Sequence, residues 1–234
     1  MKPHRKYLRG LHLNLSNSAV TSQGIRTLIE AINGCPQLTS IGLDLGQLQI
    51  ENSAICELLE SIEKKEQLAS LALGFHKSPS LDNPTILRTI EAIEKRQKSL
   101  RMLRVNFSNT SIEAASIEKL VESLPGLELE HLEVFVGGNK VLDDALAAKI
   151  ANVFKEGQPN LRGFEFDFGF SGCTGATVGL FDGKIADVTR AALYANGYKT
   201  TFFILFLQNT LIFTTFGLFL CIFSNFFIDF LILF

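Results

Sequence analysis

The sequence has little of what marks several common classes of protein. Tryptophan is absent, and the four cysteines, at positions 35, 56, 173 and 221, are too far apart for CxxC metal or redox spacing. The opening MKPHRKY has no apolar run behind its charges, which argues against a secretory leader. Neither sign of charge dominates, because 22 Lys and Arg accompany 24 Asp and Glu. This balance gives no reason to expect a nucleic-acid partner, and we expect a cytoplasmic protein with reduced thiols.

The sequence also lacks a recognisable group of catalytic or metal-binding residues. Gly183 and Lys184 end a glycine-rich stretch, but Ile185 stands where a phosphate-binding loop requires Ser or Thr. The four histidines are widely separated, without HxxxH spacing or a neighbouring cysteine. No cluster of acid, base and nucleophile stands above the background. We therefore expect no enzyme activity, no cofactor and no metal ion.

What the sequence does contain is an internal repeat. The pattern L-x-x-L-x-L-x-L, with other apolar residues replacing some leucines, occurs six times in succession at a spacing of roughly 30 residues. Alternation of apolar and polar residues over such a short stretch predicts a strand with one buried face. The copies begin at Leu8, Leu38, Leu68, Leu100, Leu129 and Leu161.

Between these strands the apolar period changes from two to about 3.6, which predicts amphipathic helices. Ile25, Leu28, Ile29 and Ile32 share one helical face, and apolar residues share a helical face in each of the next four copies as well. Glycines and prolines punctuate the joins. Each unit is therefore predicted to run strand, turn, helix and return. One unit cannot bury its apolar face alone, whereas stacked units can.

The repeat resembles the leucine-rich repeats of the ribonuclease-inhibitor-like type over about residues 7–200. This resemblance implies an α/β solenoid, or horseshoe, with a parallel concave sheet and convex helices. We take residues 1–200 as a domain of six repeats and residues 201–234 as a separate hydrophobic segment. The residues that match the family pattern are Val20, Thr21, Gly24, Leu28, Ile32, Leu38, Ile41 and Leu43.

Two features depart from that family. The strand motif continues its alternation for two further residues, ending at positions such as Leu45 and Phe107. The Asn or Cys that the family places in the following turn is not kept as a ladder, so we expect side-chain capping of these turns to be weaker or to be supplied by Ser and Thr. The residues at that position are Ser18, Leu48, Ser78, Thr110, Asn139 and Ser171.

The resemblance implies that residues between the buried positions of each strand point into the hollow of the concave sheet. Phe135 is the one aromatic residue among them and the candidate anchor for a partner. Glu130, Glu133, Glu165 and Asp167 would form a negative patch suited to a basic partner segment. Two alternatives are that these polar residues are only a solvated sheet face, and that a one-residue slip buries Phe135. The predicted partner-binding residues are His12, Asn14, Asp44, Arg104, Asn106, Glu133, Phe135, Glu165 and Asp167.

The hydrophobic segment is rich in Phe and has one charged residue, Asp229, after position 201. Residues 210–228 carry no charge and, as a helix, are long enough to cross a hydrocarbon core of about 30 Å. Three interpretations compete: a C-terminal membrane-spanning helix, a cap on the last repeat, and a stretch that is not natural coding sequence. The absence of a polar outer face argues against a cap, and the membrane helix is the preferred prediction.

Together these features predict a non-catalytic module that binds a protein partner on its concave strand face and is held at a membrane by its tail. The alternative is a regulatory repeat fragment of a larger enzyme, such as a kinase, with a tail that is an artefact of the gene model. The step from a solenoid to binding is an analogy with other repeat proteins.

Overall fold

The computed structural model of the chain describes residues 7–96, 98–155, 160–169, 171, 173, 190–195, 198–207 and 210–214. Strands and helices alternate from residue 10 to residue 168, as the two periods predict. The strands are β1 (Gly10–Asn14), β2 (Ser40–Asp44), β3 (Ser70–Gly74), β4 (Met102–Asn106), β5 (His131–Phe135) and β6 (Gly163–Phe168). The helices are α1 (Ser22–Asn33), α2 (Asn52–Glu63), α3 (Asn83–Glu94), α4 (Ala114–Ser123) and α5 (Asp144–Lys155).

The six strands form one parallel sheet in chain order, and their pairing has no offset. Leu11 pairs with Ile41, Ile41 with Leu71, and the same position continues through the later strands. A parallel connection needs a crossover, which each intervening helix provides. The prediction of an α/β sheet of six parallel strands is confirmed, and repeated strand–helix units of this kind are consistent with a solenoid.

The sheet then continues in a way that the sequence did not predict. β7 (Arg190–Ala195) lies parallel to β6, and β8 (Tyr198–Leu207) and β9 (Thr210–Thr214) follow as antiparallel strands. The expectation of an apolar helix is therefore wrong for residues 202–207 and 210–214. Their Phe, Ile and Thr residues favour strands, and an apolar run alone does not distinguish a strand from a helix.

Residues 215–234, which hold most of the predicted membrane-spanning stretch, lie outside the described residues. Among the helices that the structure describes, none combines the length and the apolar character needed to cross a membrane.

The hydrophobic core lies between the sheet and the helices. Strand residues such as Ile41 and Leu43 pack with helix residues such as Leu58 and Leu59, all at most 2 % exposed. The predicted extension of the strand motif is also buried in units two to five, where Phe75 and Phe107 stack with ring centroids 5.8 Å apart. Burial of each large apolar side chain stabilises the fold by about 1.5–3 kcal/mol.

The turn after each strand keeps neighbouring units in register. The Leu15 amide donates to the Asp44 carbonyl at 2.8 Å, and the Asn17 amide donates to the Gly46 carbonyl at 3.0 Å. The corresponding bonds recur at the following joins. The residue three positions after the end of each of the first five strands has positive φ; these residues are Asn17, Gln47, Lys77, Asn109 and Gly138.

Ser and Thr cap two of these turns, as predicted. The Ser18 hydroxyl donates to the Leu15 carbonyl at 2.6 Å, and the Thr110 hydroxyl donates to the Phe107 carbonyl at 2.7 Å. Asn139 does more, because its buried amide donates to the carbonyls of Phe107 and Val136 at 2.9 and 2.7 Å. It also accepts from the Thr110 amide at 3.0 Å. One Asn thus joins the fourth and fifth units.

Polar groups on the helix side also connect neighbouring units. The buried Lys65 ammonium donates to the Cys35 carbonyl at 3.1 Å, and the buried Arg96 guanidinium donates to the Lys65 carbonyl at 2.7 Å. Burial lowers the pKa of Lys65 below its usual value. Ion pairs link each helix to the next: Arg26–Glu57, Arg88–Glu63, Lys119–Glu91 and Lys149–Glu118.

Candidate binding face

The sheet surface opposite the helices, called here the open face, carries the predicted site residues in two aligned columns. The register places each member beside the next, so Arg104 lies next to Glu133 and Glu133 next to Glu165. The first column is His12, Gly42, Ala72, Arg104, Glu133 and Glu165. The second is Asn14, Asp44, Gly74, Asn106, Phe135 and Asp167.

Three of the predicted residues form a compact cluster on β4 and β5. The Arg104 guanidinium lies 3.0 Å from a Glu133 carboxylate oxygen and 4.9 Å above the centroid of the Phe135 ring. The Arg104 side chain remains 53 % exposed and that of Glu133 remains 39 % exposed. We call these three residues the Arg104 cluster. It combines a cation, an anion and an aromatic face on one accessible surface.

The register of β5 decides between the two interpretations of Phe135. Its neighbours Val134 and Val136 are fully buried, while Phe135 is half-buried on the open face. A slip of one residue would expose the two valines and bury Phe135. The alternative of a core Phe135 is therefore wrong.

The acidic patch is less negative than the sequence predicts. Glu133 is paired with Arg104, and an Asp167 carboxylate oxygen accepts the Gly169 amide at 2.7 Å. Partial burial raises the pKa of Asp167, and the Gly169 hydrogen bond opposes this rise. The carboxylates of Glu133 and Asp167 thus already have partners within the chain.

Most of the second column has a local structural role that the sequence analysis missed. The side-chain oxygens of Asn14 and Asn106 accept the backbone N–H two residues onward, each at 3.0 Å. Asp44 and Asp167 do the same toward glycines, at 3.1 and 2.7 Å. These Asx turns end the strands and start the reversal toward the helices. The repeated N-x-S and D-x-G spacing was the available signal.

Histidines on the open face pack over glycines of neighbouring units. The His12 ring covers Gly42, where an added Cβ would lie 2.3 Å from Nδ1, and His12 Nε2 is 2.8 Å from the Ser40 hydroxyl. His131, which the sequence analysis did not select, covers Gly163 in the same way. The sequence signal for this packing is a histidine and a glycine at equivalent positions of neighbouring strands, as His12 and Gly42 are.

The third histidine on this face, His76, was also missed. Its ring covers Gly46, and its Nδ1 lies 3.4 Å from an Asp44 carboxylate oxygen. Met102, on β4, is 45 % exposed and adds apolar surface beside the Arg104 cluster. Within the described part of the chain, no three metal-ligating side chains come together.

The fold and this face define a protein of repeated strand–helix units in which the described residues leave the open face of the sheet accessible. Comparison with known proteins gives no closer assignment, because neither a protein-family model nor a curated protein matches the chain.

Proposed function

We propose that the chain is a leucine-rich repeat protein of the ribonuclease-inhibitor-like type, and that it acts as a non-catalytic module binding a protein partner on the open face. The Arg104 cluster is the observation that carries this proposal. Aromatic and Arg side chains dominate the binding free energy of many protein interfaces. Here both lie on a sheet surface that the chain leaves uncovered among its described residues.

The size and charge of the open face favour a basic segment of a folded protein or a peptide. Six strands spaced about 4.8 Å apart present a strip on the order of 25 Å. Glu133, Glu165 and Asp167 lie in adjacent positions on β5 and β6. The one arginine or lysine in the two columns is Arg104, on the neighbouring strand β4. A lysine or arginine of the partner would approach these carboxylates and stack on Phe135.

A site-specific cross-linking experiment tests the location of binding. Photoreactive p-benzoylphenylalanine replaces Phe135 in the full chain, and the matched control places it at Glu122, an exposed residue of α4. After irradiation in a cell lysate, we expect discrete adducts from position 135 and none from position 122. Equal capture from both positions, or capture from neither, contradicts the proposal.

Anisotropy of labelled octalysine and octaglutamate peptides tests the chemistry of the partner. We expect the open face to bind octalysine and not octaglutamate, with the affinity falling as salt screens the charges. Glu165→Gln should weaken octalysine binding about threefold, the size expected for loss of one exposed ion pair. An unchanged affinity in this variant would place the basic peptide elsewhere on the protein.

A further inference from the structure

Arg104 already makes the two contacts that a cation of the proposed partner would make. Its guanidinium lies 3.0 Å from a Glu133 carboxylate oxygen and 4.9 Å from the centroid of the Phe135 ring. A lysine or arginine of the partner that pairs with this carboxylate and stacks on this ring needs the same two groups. The chain therefore holds one of its own cations in the position where the partner is expected to place one.

The Arg104 side chain is held only at the surface of the sheet. It is 53 % exposed, and its partners Glu133 and Phe135 are themselves partly exposed. Arg96 differs, because it is buried and donates to the Lys65 carbonyl at 2.7 Å. Ion pairs between exposed side chains contribute little free energy and are weakened by salt. The contacts of Arg104 can therefore be exchanged at little cost.

The surface beside Arg104 offers its side chain a second position. On β3 the register places Ala72 next to Arg104, and Gly74 follows two residues later. An Asp44 carboxylate oxygen lies over Gly74, 2.7 Å from where a Cβ would be. A strand spacing of about 4.8 Å and a rise of about 3.3 Å per residue put the Cα of Gly74 roughly 8 Å from that of Arg104. The guanidinium can thus turn from Glu133 toward Asp44 by rotation of its own side chain.

We propose, resting on the binding of a basic partner to the open face, that Arg104 is an internal competitor of that partner. In the free chain Arg104 pairs with Glu133 and covers Phe135, and on binding a lysine or arginine of the partner takes its place. Arg104 then turns toward Asp44. A ligand without a cation cannot replace Arg104 at the Glu133 carboxylate, so the same contact makes the open face selective for basic partners.

Competition predicts an effect of opposite sign to that of an anchoring residue. Truncating an arginine that anchors a partner weakens binding. Removing Arg104 instead leaves the Glu133 carboxylate and the Phe135 ring open to the partner, so the affinity for a cation should rise. The direction in which the dissociation constant changes therefore separates the two roles.

The first test measures the binding of labelled octalysine to the full chain and to Arg104→Gln by fluorescence anisotropy. We expect Arg104→Gln to bind about fivefold more tightly, because one exposed ion pair and one exposed cation–π contact no longer have to be broken. Arg101→Gln is the matched control, since it removes the same charge beside the same strand. The Arg101 guanidinium pairs with Glu128 at 2.9 Å rather than with Glu133, so this variant should change the affinity by less than about twofold.

A second test separates competition from the general effect of removing a positive charge. Glu133→Gln removes the carboxylate for which Arg104 and the partner compete. In this background the further change Arg104→Gln should raise the affinity by less than about twofold, because only the Phe135 ring is vacated. A long-range effect of charge would give the same gain with and without Glu133. The difference between the two gains therefore measures the competition.

Three kinds of outcome overturn the proposal. Octalysine binding that is equal or weaker in Arg104→Gln than in the wild-type chain would show that Arg104 does not compete, while the proposal of a basic partner would stand. A gain of the same size in Arg101→Gln, or in the Glu133→Gln background, would assign the effect to net charge. Failure of both the wild-type chain and Arg104→Gln to bind octalysine would contradict the basic partner and the competitor together.

Discussion

The joints between neighbouring units and the open face of the sheet use polar side chains in different ways. At the joints, polar groups are buried or paired across two units, as Asn139 is in the turns and Glu63 is between helices. On the open face they form local Asx turns, cover glycines or pair within the exposed Arg104 cluster. The comparison indicates that the two regions differ in the accessibility of their polar groups. Asn139 is buried in its joint, whereas Arg104 and Glu133 remain accessible although they also pair across two units.

Among substitutions of polar residues, Asn139→Leu gives the largest expected effect on stability, because it removes a buried contact between two units without changing the open face. Leucine is the residue at this position in the second unit, Leu48, but it removes the side-chain partner of the Val136 carbonyl and of the Thr110 amide. It also leaves the Phe107 carbonyl with only the Thr110 hydroxyl as a side-chain donor. We expect a loss of about 3 kcal/mol in the free energy of unfolding, measured by chemical denaturation. The control Lys140→Leu, at an exposed neighbour, should change it by less than about 0.5 kcal/mol. A similar loss in both variants would show that the Asn139 hydrogen bonds do not join the fourth and fifth units.

Glu63→Gln tests a joint between helices and should cost about 1–2 kcal/mol at neutral pH. Hydrogen bonding from Arg88, with a further contribution from Lys95, lowers the pKa of Glu63 below its ordinary value of 4.5. A carboxyl group whose pKa is lowered on folding stabilises the protein above its ordinary pKa. This stabilisation is lost as the pH falls through the lowered value.

The difference in melting temperature between the wild-type chain and Glu63→Gln should therefore shrink on acidification from pH 7. Glu60→Gln, at an exposed position of the same helix, is the matched control and should show no such trend. A pH-independent difference would mean that the Glu63 charge is not what joins α2 to α3.

Phe135→Ser is expected to have the smallest effect on stability and a decisive effect on binding. Because the ring is half-buried beneath Arg104, its loss should cost less than about 1 kcal/mol, and partner capture should disappear. The adjacent Val134→Ser places a hydroxyl in the core and should cost about 3 kcal/mol or more. Thermal melts of both variants provide the comparison, and equal destabilisation would show that Phe135 belongs to the core.

The fold of the six units could be predicted because its signals are local and repeated. Apolar residues recur in each unit at the positions of Leu11 and Leu13, and the change of period from two to 3.6 separates strands from helices. The columns of the open face could also be predicted, because equivalent positions of aligned parallel strands lie side by side. The pairing of side chains could not be predicted in this way. The Arg104–Glu133 contact depends on side-chain length and rotamer as well as on the register of the strands.

Two other parts could not be predicted for different reasons. The Asx turns at Asn14 and Asp44 look like any solvated polar position until the backbone direction of the turn is known. In the segment after residue 201, the apolar run has no clear period, so length was the only guide and favoured a helix. Strand pairing with β7 at residues 202 and 203, and with β9 at residues 203–207, gives this segment backbone partners that no local pattern reveals.

Because the strands align residue for residue, each unit adds one strand spacing to the sheet, whatever the number of residues in the unit. Ser70 pairs with Met102 and Met102 with His131, so the third unit is three residues longer than the fourth, yet both strands have five residues. The difference is absorbed in the connecting segments. Insertions in these connections leave the spacing between strands unchanged. Adding or removing a whole unit would change the width of the sheet by one strand spacing, about 4.8 Å.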